Sequence, residues 1–312
     1  MNGAFTREGT DGNWEMTLPD VRVGSWWRDW LELSKPRITI SNALACVVGF
    51  WTAGGSTTHQ LPIFLGTLVG IVLLVSGSCM LNNWIDQDID PLMERTRSRV
   101  LPQGRLHPMM VAIFGILSVI LGIGILAFFV NSWAAGLGGV GALFYIVIYS
   151  LWLKRVSTWN TVVGGISGAV PPLIGWVAAT GSPDVGGWIL FLILFFWQPA
   201  HFFALAMLNV EDYRRAGIPM YPVIRGSSET KMQILLYVSL LLPTSLALQI
   251  VGAVDGAYIG ISLLLGSVYL LLAIAGFFIR SEEKWSRLLF RYSLIYLVGM
   301  LAAFITCAHG GG

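Results

Sequence analysis

The chain has 312 residues, of which 55% are hydrophobic and 12% are charged, and its formal net charge is +2. Soluble domains carry roughly 25% charged residues, so this composition excludes an ordinary soluble globular protein and indicates a protein of the lipid bilayer. We expect no nucleic-acid partner.

The N-terminal segment is polar and contains no apolar core of the kind that a cleavable signal peptide has. We predict that residues 1–24 are a disordered cytoplasmic tail and that residues 25–312 form a single transmembrane domain. The stretch "SWWRDWLELSKPR" alternates Trp and Leu with charged residues, which predicts a short interfacial helix before the first span.

Nine apolar stretches then follow with lengths near the ~20 residues that a spanning helix needs. The connections between them are short, which predicts an all-α, polytopic membrane protein of nine transmembrane helices. The predicted spans are 38–54, 61–82, 108–130, 133–153, 160–180, 187–208, 232–253, 257–279 and 287–307.

The basic residues predict the orientation of these spans. All 19 Lys and Arg fall in the N-terminal segment, in the loops after spans two, four, six and eight, or just inside an adjoining helix end. Because basic residues that flank spans stay in the cytoplasm, the N-terminus is expected inside and the C-terminus outside.

Acidic and basic residues are absent from the middle of every predicted span. Ion-coupled transporters usually carry ionisable groups at that depth, so the pattern argues against transport. The charge is concentrated in two loops, 82–105 and 209–231, which follow spans two and six and therefore lie on the same side. We expect the two loops to converge on one cavity.

The first loop begins "NNWIDQDID", in which Asn82, Asp86 and Asp90 are spaced four residues apart. If the second span continues as a helix, these side chains share one face, while Asp88 points elsewhere and pairs with an Arg. Pro91 disfavours helical geometry at the residue before it, so the helix is predicted to end at about Asp90.

Oxygen ligands on one helix face beside several Arg residues suit Mg²⁺ and a diphosphate. The second loop offers Glu211 and Asp212, followed by Arg214, Arg215 and Arg225, and could hold a second ion. A simpler interpretation is a solvated loop in which the acids pair with basic residues of the same loop: Arg95, Arg97, Arg99 and Arg105.

Several segments resemble the UbiA superfamily of intramembrane prenyltransferases. "NNWIDQDID" is similar to its NDxxDxxxD motif, with Asn83 where many members have Asp. "GGISGAVPPLIGW", "WQPAHFFALAM" and "DYRRAGIPMYPVIRG" resemble the branch that farnesylates heme, and this likeness runs from "LSKPRIT" through the ninth span.

The resemblance implies a nine-helix bundle around a central cavity in the cell membrane. It also implies that farnesyl diphosphate, heme B and water react to give heme O and diphosphate, with a heme O oxidising enzyme or a terminal oxidase as recipient. The implied catalytic residues are Asn82, Asp86, Asp90 and Asp212, and Mg²⁺ is expected on Asn82, Asp86, Asp90, Glu211 and Asp212. The implied substrate-binding residues are Arg37, Arg95, Arg99, Lys154, Arg155, His201, Tyr213 and Arg225.

Three alternatives remain open or are weakened by the sequence. A related prenyltransferase could act on a quinone precursor or on another tetrapyrrole. A transporter or a heme-handling factor without catalysis is disfavoured by the position of the acids. Phosphatidyl-type alcohol phosphotransferases resemble a DGxxAR pattern, and no such run follows any Asp here.

Overall fold

A computed structural model describes residues 26–56 and 58–308. Within these residues every regular element is helical, and the prediction of an all-α fold is confirmed. The predicted disordered tail, residues 1–24, lies outside the described residues. The helices are α1 (Trp26–Leu33), α2 (Pro36–Thr52), α3 (Leu61–Ile85), α4 (Pro108–Phe129), α5 (Ser132–Leu143), α6 (Asn160–Thr180), α7 (Val185–Leu208), α8 (Val210–Arg215), α9 (Tyr221–Ile250), α10 (Gly256–Ala275) and α11 (Glu282–Thr306).

Eight of the described helical segments are long and apolar enough to cross a membrane. One of them, Ser132–Val156, is α5 together with a π-helix (Phe144–Leu153) and a final α-turn (Lys154–Val156). The first predicted span falls in α2, which has 17 residues and, at 1.5 Å per residue, is about 26 Å long. The protein is therefore a multi-pass membrane protein.

The helix ends follow from local sequence. Pro occupies the first turn of α2, α3, α4 and α9, where its missing N–H removes no helical hydrogen bond. Asn131, Asp184 and Ser281 cap α5, α7 and α11 by accepting hydrogen bonds from backbone amides of the first turn. The predicted span 232–253 overlaps the part of α9 that follows a kink at the non-helical Gly226 (φ 78°, ψ 179°).

The helices form two packed groups that share α6. One buried cluster is formed by residues of α2, α3, α4, α5 and α6. The other is formed mainly by residues of α7, α9, α10 and α11, together with residues of α6. Large apolar side chains also cover the outside, among them Phe128, which is 89% exposed, and Leu264, which is 66% exposed. An apolar exterior of this kind suits contact with lipid tails.

Candidate functional site at the C-terminal end of α3

The first acidic motif lies where α3 ends. The helix stops at Ile85, five residues before the predicted end at about Asp90, so that prediction is wrong. Carboxylates at a helix C-terminus oppose the helix dipole, and the backbone leaves the helix at Asp86 (φ −86°, ψ 3°). Backbone hydrogen bonds between residues four apart nevertheless continue beyond the helix. The Asp86 amide donates to Asn82 O at 3.0 Å, and the Asp90 amide donates to Asp86 O at 2.9 Å.

Asp86 is fully buried and is held by two donors. Lys154 Nζ donates to Asp86 Oδ2 at 2.5 Å, and Asn82 Nδ2 donates to the same oxygen at 2.9 Å. The other oxygen, Asp86 Oδ1, is buried without any hydrogen-bond partner among the described residues. A buried carboxylate oxygen without a partner is costly, so Asp86 Oδ1 is a position at which a cation would be stabilised.

Asp90 and Asp88 have different environments. Asp90 is 1% exposed and receives both its hydrogen bonds from Arg99 Nη1, at 2.9 and 2.8 Å. Asp88 points outward and binds Arg155 through two hydrogen bonds of 2.7 Å, which confirms that it faces elsewhere and pairs with an Arg. The hydrogen bond from Arg155 lowers the pKa of Asp88 below its ordinary value.

The second loop approaches the first through an apolar contact and a polar one. Ile89 and Met93 pack in one buried cluster with Ile218 and Met220, and Tyr213 lies against this cluster. The Glu94 amide donates to Asp212 Oδ1 at 3.4 Å. The two loops therefore meet, as their positions in the chain predict.

Glu211 and Asp212 differ in orientation. The Glu211 side chain is 75% exposed and pairs with Arg214 of its own helix, whereas the Asp212 side chain is 12% exposed and faces the first loop. Burial raises the pKa of Asp212, but hydrogen bonds from Arg215 and the Glu94 amide outweigh it and keep the pKa below its ordinary value. Asp212 is the acid of this pair that the fold places beside the first motif.

The remaining predicted site residues have varied surroundings. Arg37, Arg95 and Arg225 are exposed and form no hydrogen bond or ion pair with their side chains within the described ranges. His201 is buried between the Trp197 and Phe290 rings, at 4.6 and 4.7 Å between centroids, and its Nδ1 lies 2.6 Å from Ser293 Oγ. These contacts are with α7 and α11, and a contact between His201 and heme stays a prediction.

Two residues of the site were missed in the sequence. Lys35 Nζ donates to Asn82 Oδ1 at 2.6 Å, and Ser150 Oγ accepts from Asn82 Nδ2 at 3.0 Å. Burial lowers the pKa of Lys35 to about 8, so the ammonium form still predominates at pH 7. Lys35 is two residues before the predicted substrate contact Arg37, but nothing in the sequence around Ser150 indicates its role.

A buried ion pair also anchors the first loop. Arg105 pairs with Asp29 of α1, which is 5% exposed, and with Glu32 at 2.7 Å. Leu33 of α1 packs with Val100 and Leu101 of the same loop. The predicted helix before the first span is thus present as α1, and it holds the loop that carries Arg99.

The oxygens of this site could hold a divalent cation. Among the described residues, no three His, Cys, Asp or Glu side chains converge into a complete metal site. Mg²⁺, however, usually takes only one or two protein carboxylates and fills its remaining positions with water and substrate phosphates. Asp86, whose Oδ1 is buried without a partner while Oδ2 is held by Asn82 and Lys154, is a carboxylate suited to that role.

An apolar groove begins at the two chain neighbours of Lys35. It has a volume of about 440 Å³ and lies between α2 and α3. Ser34 and Pro36, the neighbours of Lys35, line one end, and Val47 and Val72 line the wall further along the helices. An apolar ligand in this groove would have its polar end close to Lys35.

Comparisons with known proteins agree with this architecture. The profile of the "UbiA prenyltransferase family" matches residues 42–295. A protein named protoheme IX farnesyltransferase from Alkalihalophilus pseudofirmus is 45% identical over 287 residues, which cover 91% of this chain and 90% of the relative. Protoheme IX farnesyltransferase 2 from Bacillus subtilis is 42% identical, over 89% of this chain and 92% of its own.

Solved structures share the fold. A digeranylgeranylglyceryl phosphate synthase superposes with a TM-score of 0.76 at 17% identity, covering 90% of this chain and 98% of its own. A UbiA homolog from Archaeoglobus fulgidus, solved with DMAPP and Mg²⁺, gives a TM-score of 0.65 at 16% identity, covering 89% and 99%. At these identities the likeness establishes the fold.

Proposed function

Because the chain belongs to the UbiA prenyltransferase family, we propose that it transfers the farnesyl group of farnesyl diphosphate to the 2-vinyl group of heme B. Water adds in the same reaction, and the products are heme O and diphosphate. The choice of heme as acceptor is carried by the 45% identity to a protein named protoheme IX farnesyltransferase over 91% of this chain.

The reaction balances without a covalent enzyme intermediate. The bond between C1 of farnesyl and the diphosphate oxygen breaks, and its electron pair leaves with the diphosphate. C1 then bonds to the terminal carbon of the vinyl group. Water adds its oxygen to the other vinyl carbon and releases one proton, so no nucleophilic Ser or Cys is needed.

The acidic loops form the diphosphate end of the proposed site. Asn82, Asp86, Asp90 and Asp212 would hold Mg²⁺, with Glu211 at the margin because its side chain is turned to the surface. When bound, Mg²⁺ neutralises charge that develops on the departing diphosphate. Lys154 and Arg99 lie against the same carboxylates and can turn their N–H groups to phosphate oxygens when substrate enters. At the rim, the further proposed substrate contacts are Arg37, Arg95, Arg155, Tyr213 and Arg225.

The farnesyl chain is apolar and needs an apolar surface close to these cations. The groove between α2 and α3 offers one, because its wall is formed mainly by Ile, Leu, Val and Ala and it begins at the neighbours of Lys35. Burial of the chain there would limit access of water to C1 until the vinyl group attacks. The farnesyl chain would then lie between α2 and α3, and its diphosphate would lie beside the charged residues at the end of the same two helices.

We place the protein in the cell membrane, with its N-terminus in the cytoplasm and its C-terminus outside. The basis is the distribution of Lys and Arg, all of which fall on one side of the predicted spans. The acidic loops then face the cytoplasm. The product would pass to a heme O oxidising enzyme or to a terminal oxidase.

The acceptor can be tested with the purified protein. It is incubated with Mg²⁺ and radiolabelled farnesyl diphosphate together with equal amounts of heme B and 4-hydroxybenzoate. We expect the label in heme O, identified by mass spectrometry. Label found only in the aromatic acid would overturn the heme assignment while leaving prenyl transfer intact, and no transfer to either acceptor would favour a heme-handling protein without catalysis.

A further inference from the structure

The fourth predicted span contains a π-helix next to the first acidic motif. After α5 the chain forms a π-helix over Phe144–Leu153 and returns to the α form at Lys154. π-Helices are rare, usually extend for a single turn and often occur at functional sites. Ten residues in this form, ending at the lysine that binds Asp86, therefore call for an explanation.

The π-helix changes which carbonyl a serine can reach. Ser78 of α3 donates to Leu74 O, four residues back, at 2.7 Å, as expected in an α-helix. Ser150 is fully buried and donates to Tyr145 O, five residues back, at 2.8 Å. In an α-helix, residues five apart differ by about 140° around the axis, whereas π hydrogen bonds join residues five apart and bring them close.

The Ser150 hydroxyl uses its only hydrogen in the bond to Tyr145 O. Toward Asn82 its oxygen can therefore act only as a hydrogen-bond acceptor. Asn82 Nδ2 donates to Ser150 Oγ at 3.0 Å and to Asp86 Oδ2 at 2.9 Å. At the other end of the amide, the Lys35 ammonium group can only donate hydrogen bonds, and its Nζ lies 2.6 Å from Asn82 Oδ1. The chemistry of the three partners fixes which end of the amide is oxygen.

We propose that Ser150, set in place by the π-helix, is a positioning residue that keeps the NH₂ group of Asn82 on Asp86 Oδ2, so that Asp86 Oδ1 stays available to a cation. The inference rests on the proposed function, in which Asp86 supplies an oxygen to the divalent cation. Amide torsions have broad, roughly two-fold minima, so without the hydroxyl the amide loses one of the two acceptors that hold its NH₂ group. Asn82 then holds Asp86 less firmly, and the Asp86 carboxylate spends less time in the orientation that presents Oδ1 to the cation.

The test uses Ser150→Ala, which is smaller and packs without a clash. Ser262→Ala is the matched control, because Ser262 is also a buried serine, on α10, which packs against α9 and α11. The Mg²⁺ concentration for half-maximal heme O formation should rise about tenfold in Ser150→Ala, since partners of metal ligands typically account for 10–100-fold in metal affinity. The kcat at saturating Mg²⁺ should stay within about twofold, because the reacting groups are unchanged.

A second measurement does not depend on turnover. Binding of Mn²⁺ in the presence of farnesyl thiodiphosphate, without heme, is followed by electron paramagnetic resonance. Ser150→Ala should bind Mn²⁺ about tenfold more weakly than the wild type, and Ser150→Thr, which keeps a hydroxyl, should recover most of the loss. Melting temperatures of all variants are recorded to confirm that they are folded.

Three results would overturn the inference: unchanged Mn²⁺ binding in Ser150→Ala, a lower kcat with an unchanged Mg²⁺ requirement, or an equal shift in Ser262→Ala. The proposed function fails separately. If the wild type binds Mn²⁺ with the analogue but prenylates another acceptor, the role of Ser150 stands while heme is excluded. If the wild type does not bind Mn²⁺ with the analogue, both ideas are overturned.

Discussion

Asp86 and Asp88 are two residues apart in the chain but have opposite environments. The Asp86 side chain is 1% exposed and pairs with Lys154, whereas the Asp88 side chain is 58% exposed and pairs with Arg155. A buried charge pair is costly to separate, while an exposed pair contributes about 0–1 kcal/mol. The two acids therefore serve as a natural comparison between a site residue and a surface ion pair.

Asp212 and Glu211 provide a comparison at the second loop. Asp212→Asn should lower the rate of heme O formation about tenfold or more and raise the Mg²⁺ requirement, because its carboxylate faces the first loop. Glu211→Gln should change the rate by less than about twofold, since it removes only an exposed ion pair. Rates measured on equal amounts of purified protein decide between them, and a larger loss in Glu211→Gln would reverse the assignment.

At the level of single residues, the sequence predicted that the acids of the first motif would pair with basic residues, but it did not predict which residues contact Asn82. The spacing of Asn82, Asp86 and Asp90 indicated a shared face, and backbone hydrogen bonds between residues four apart continue to Asp90 although the helix ends at Ile85. Lys35 and Ser150 were not predicted as partners of Asn82, because they come from segments 47 and 68 residues away in the chain. Such partners are set by helix packing, which spacing along one segment does not reveal.

Among the helices, α2 and α6 approach each other closely where each has a glycine. A Cβ atom on Gly175 would lie 1.8 Å from Cys46 O, and one on Gly49 would lie 1.9 Å from Pro172 O. Neither backbone can yield without separating the helices. Small residues allow membrane helices to pack by direct backbone contact, and α2 and α6 make such contacts at Gly49 and at Gly175.

Gly175→Ala should therefore destabilise the protein by about 1–3 kcal/mol, the usual cost of overpacking. The control is Gly124→Ala in α4, where a Cβ meets nothing within 4 Å. Alanine there should be neutral or stabilising by up to about 1 kcal/mol, because it favours the helix. The melting temperatures in detergent give the comparison, and equal values for the two variants would contradict the close approach.

The helices differ in how far their local sequence determines them. Apolar length predicts that a span is helical, and Pro or a capping side chain sets many of the starts. The end of α3 was predicted five residues too late, and the π-helix of the fourth span was not predicted, since hydropathy does not distinguish α from π hydrogen bonding. In both places the backbone departs from the α form beside buried polar partners, so the deviation depends on tertiary contacts.

Across the whole molecule, the charges are segregated. Every Lys and Arg falls on one side of the predicted spans, and both acidic loops lie on that side. In the proposed topology, that side lies in the cytoplasm, because positive flanking residues favour it. The same segregation places the proposed diphosphate site where a soluble, anionic substrate is available.

The orientation can be measured by labelling single cysteines in intact cells. Ser182→Cys, between α6 and α7, should react with a membrane-impermeant maleimide, and Ser98→Cys, in the first acidic loop, should react only after permeabilisation. Both serines are exposed, and the native Cys46, Cys79 and Cys307 are buried, which keeps background labelling low. The opposite labelling pattern would invert the proposed topology.

The central claim is that the buried carboxylates at the C-terminal end of α3 drive farnesyl transfer to heme. Its most direct test is the rate of heme O formation by purified wild type, Asp86→Asn and Asp88→Asn, followed by mass spectrometry. Asp86→Asn should be about 100-fold slower or worse, the usual scale for loss of a group that stabilises developing charge, while Asp88→Asn should stay within about threefold of wild type. Wild-type activity in purified, folded Asp86→Asn would contradict the claim and leave the acids as a solvated loop.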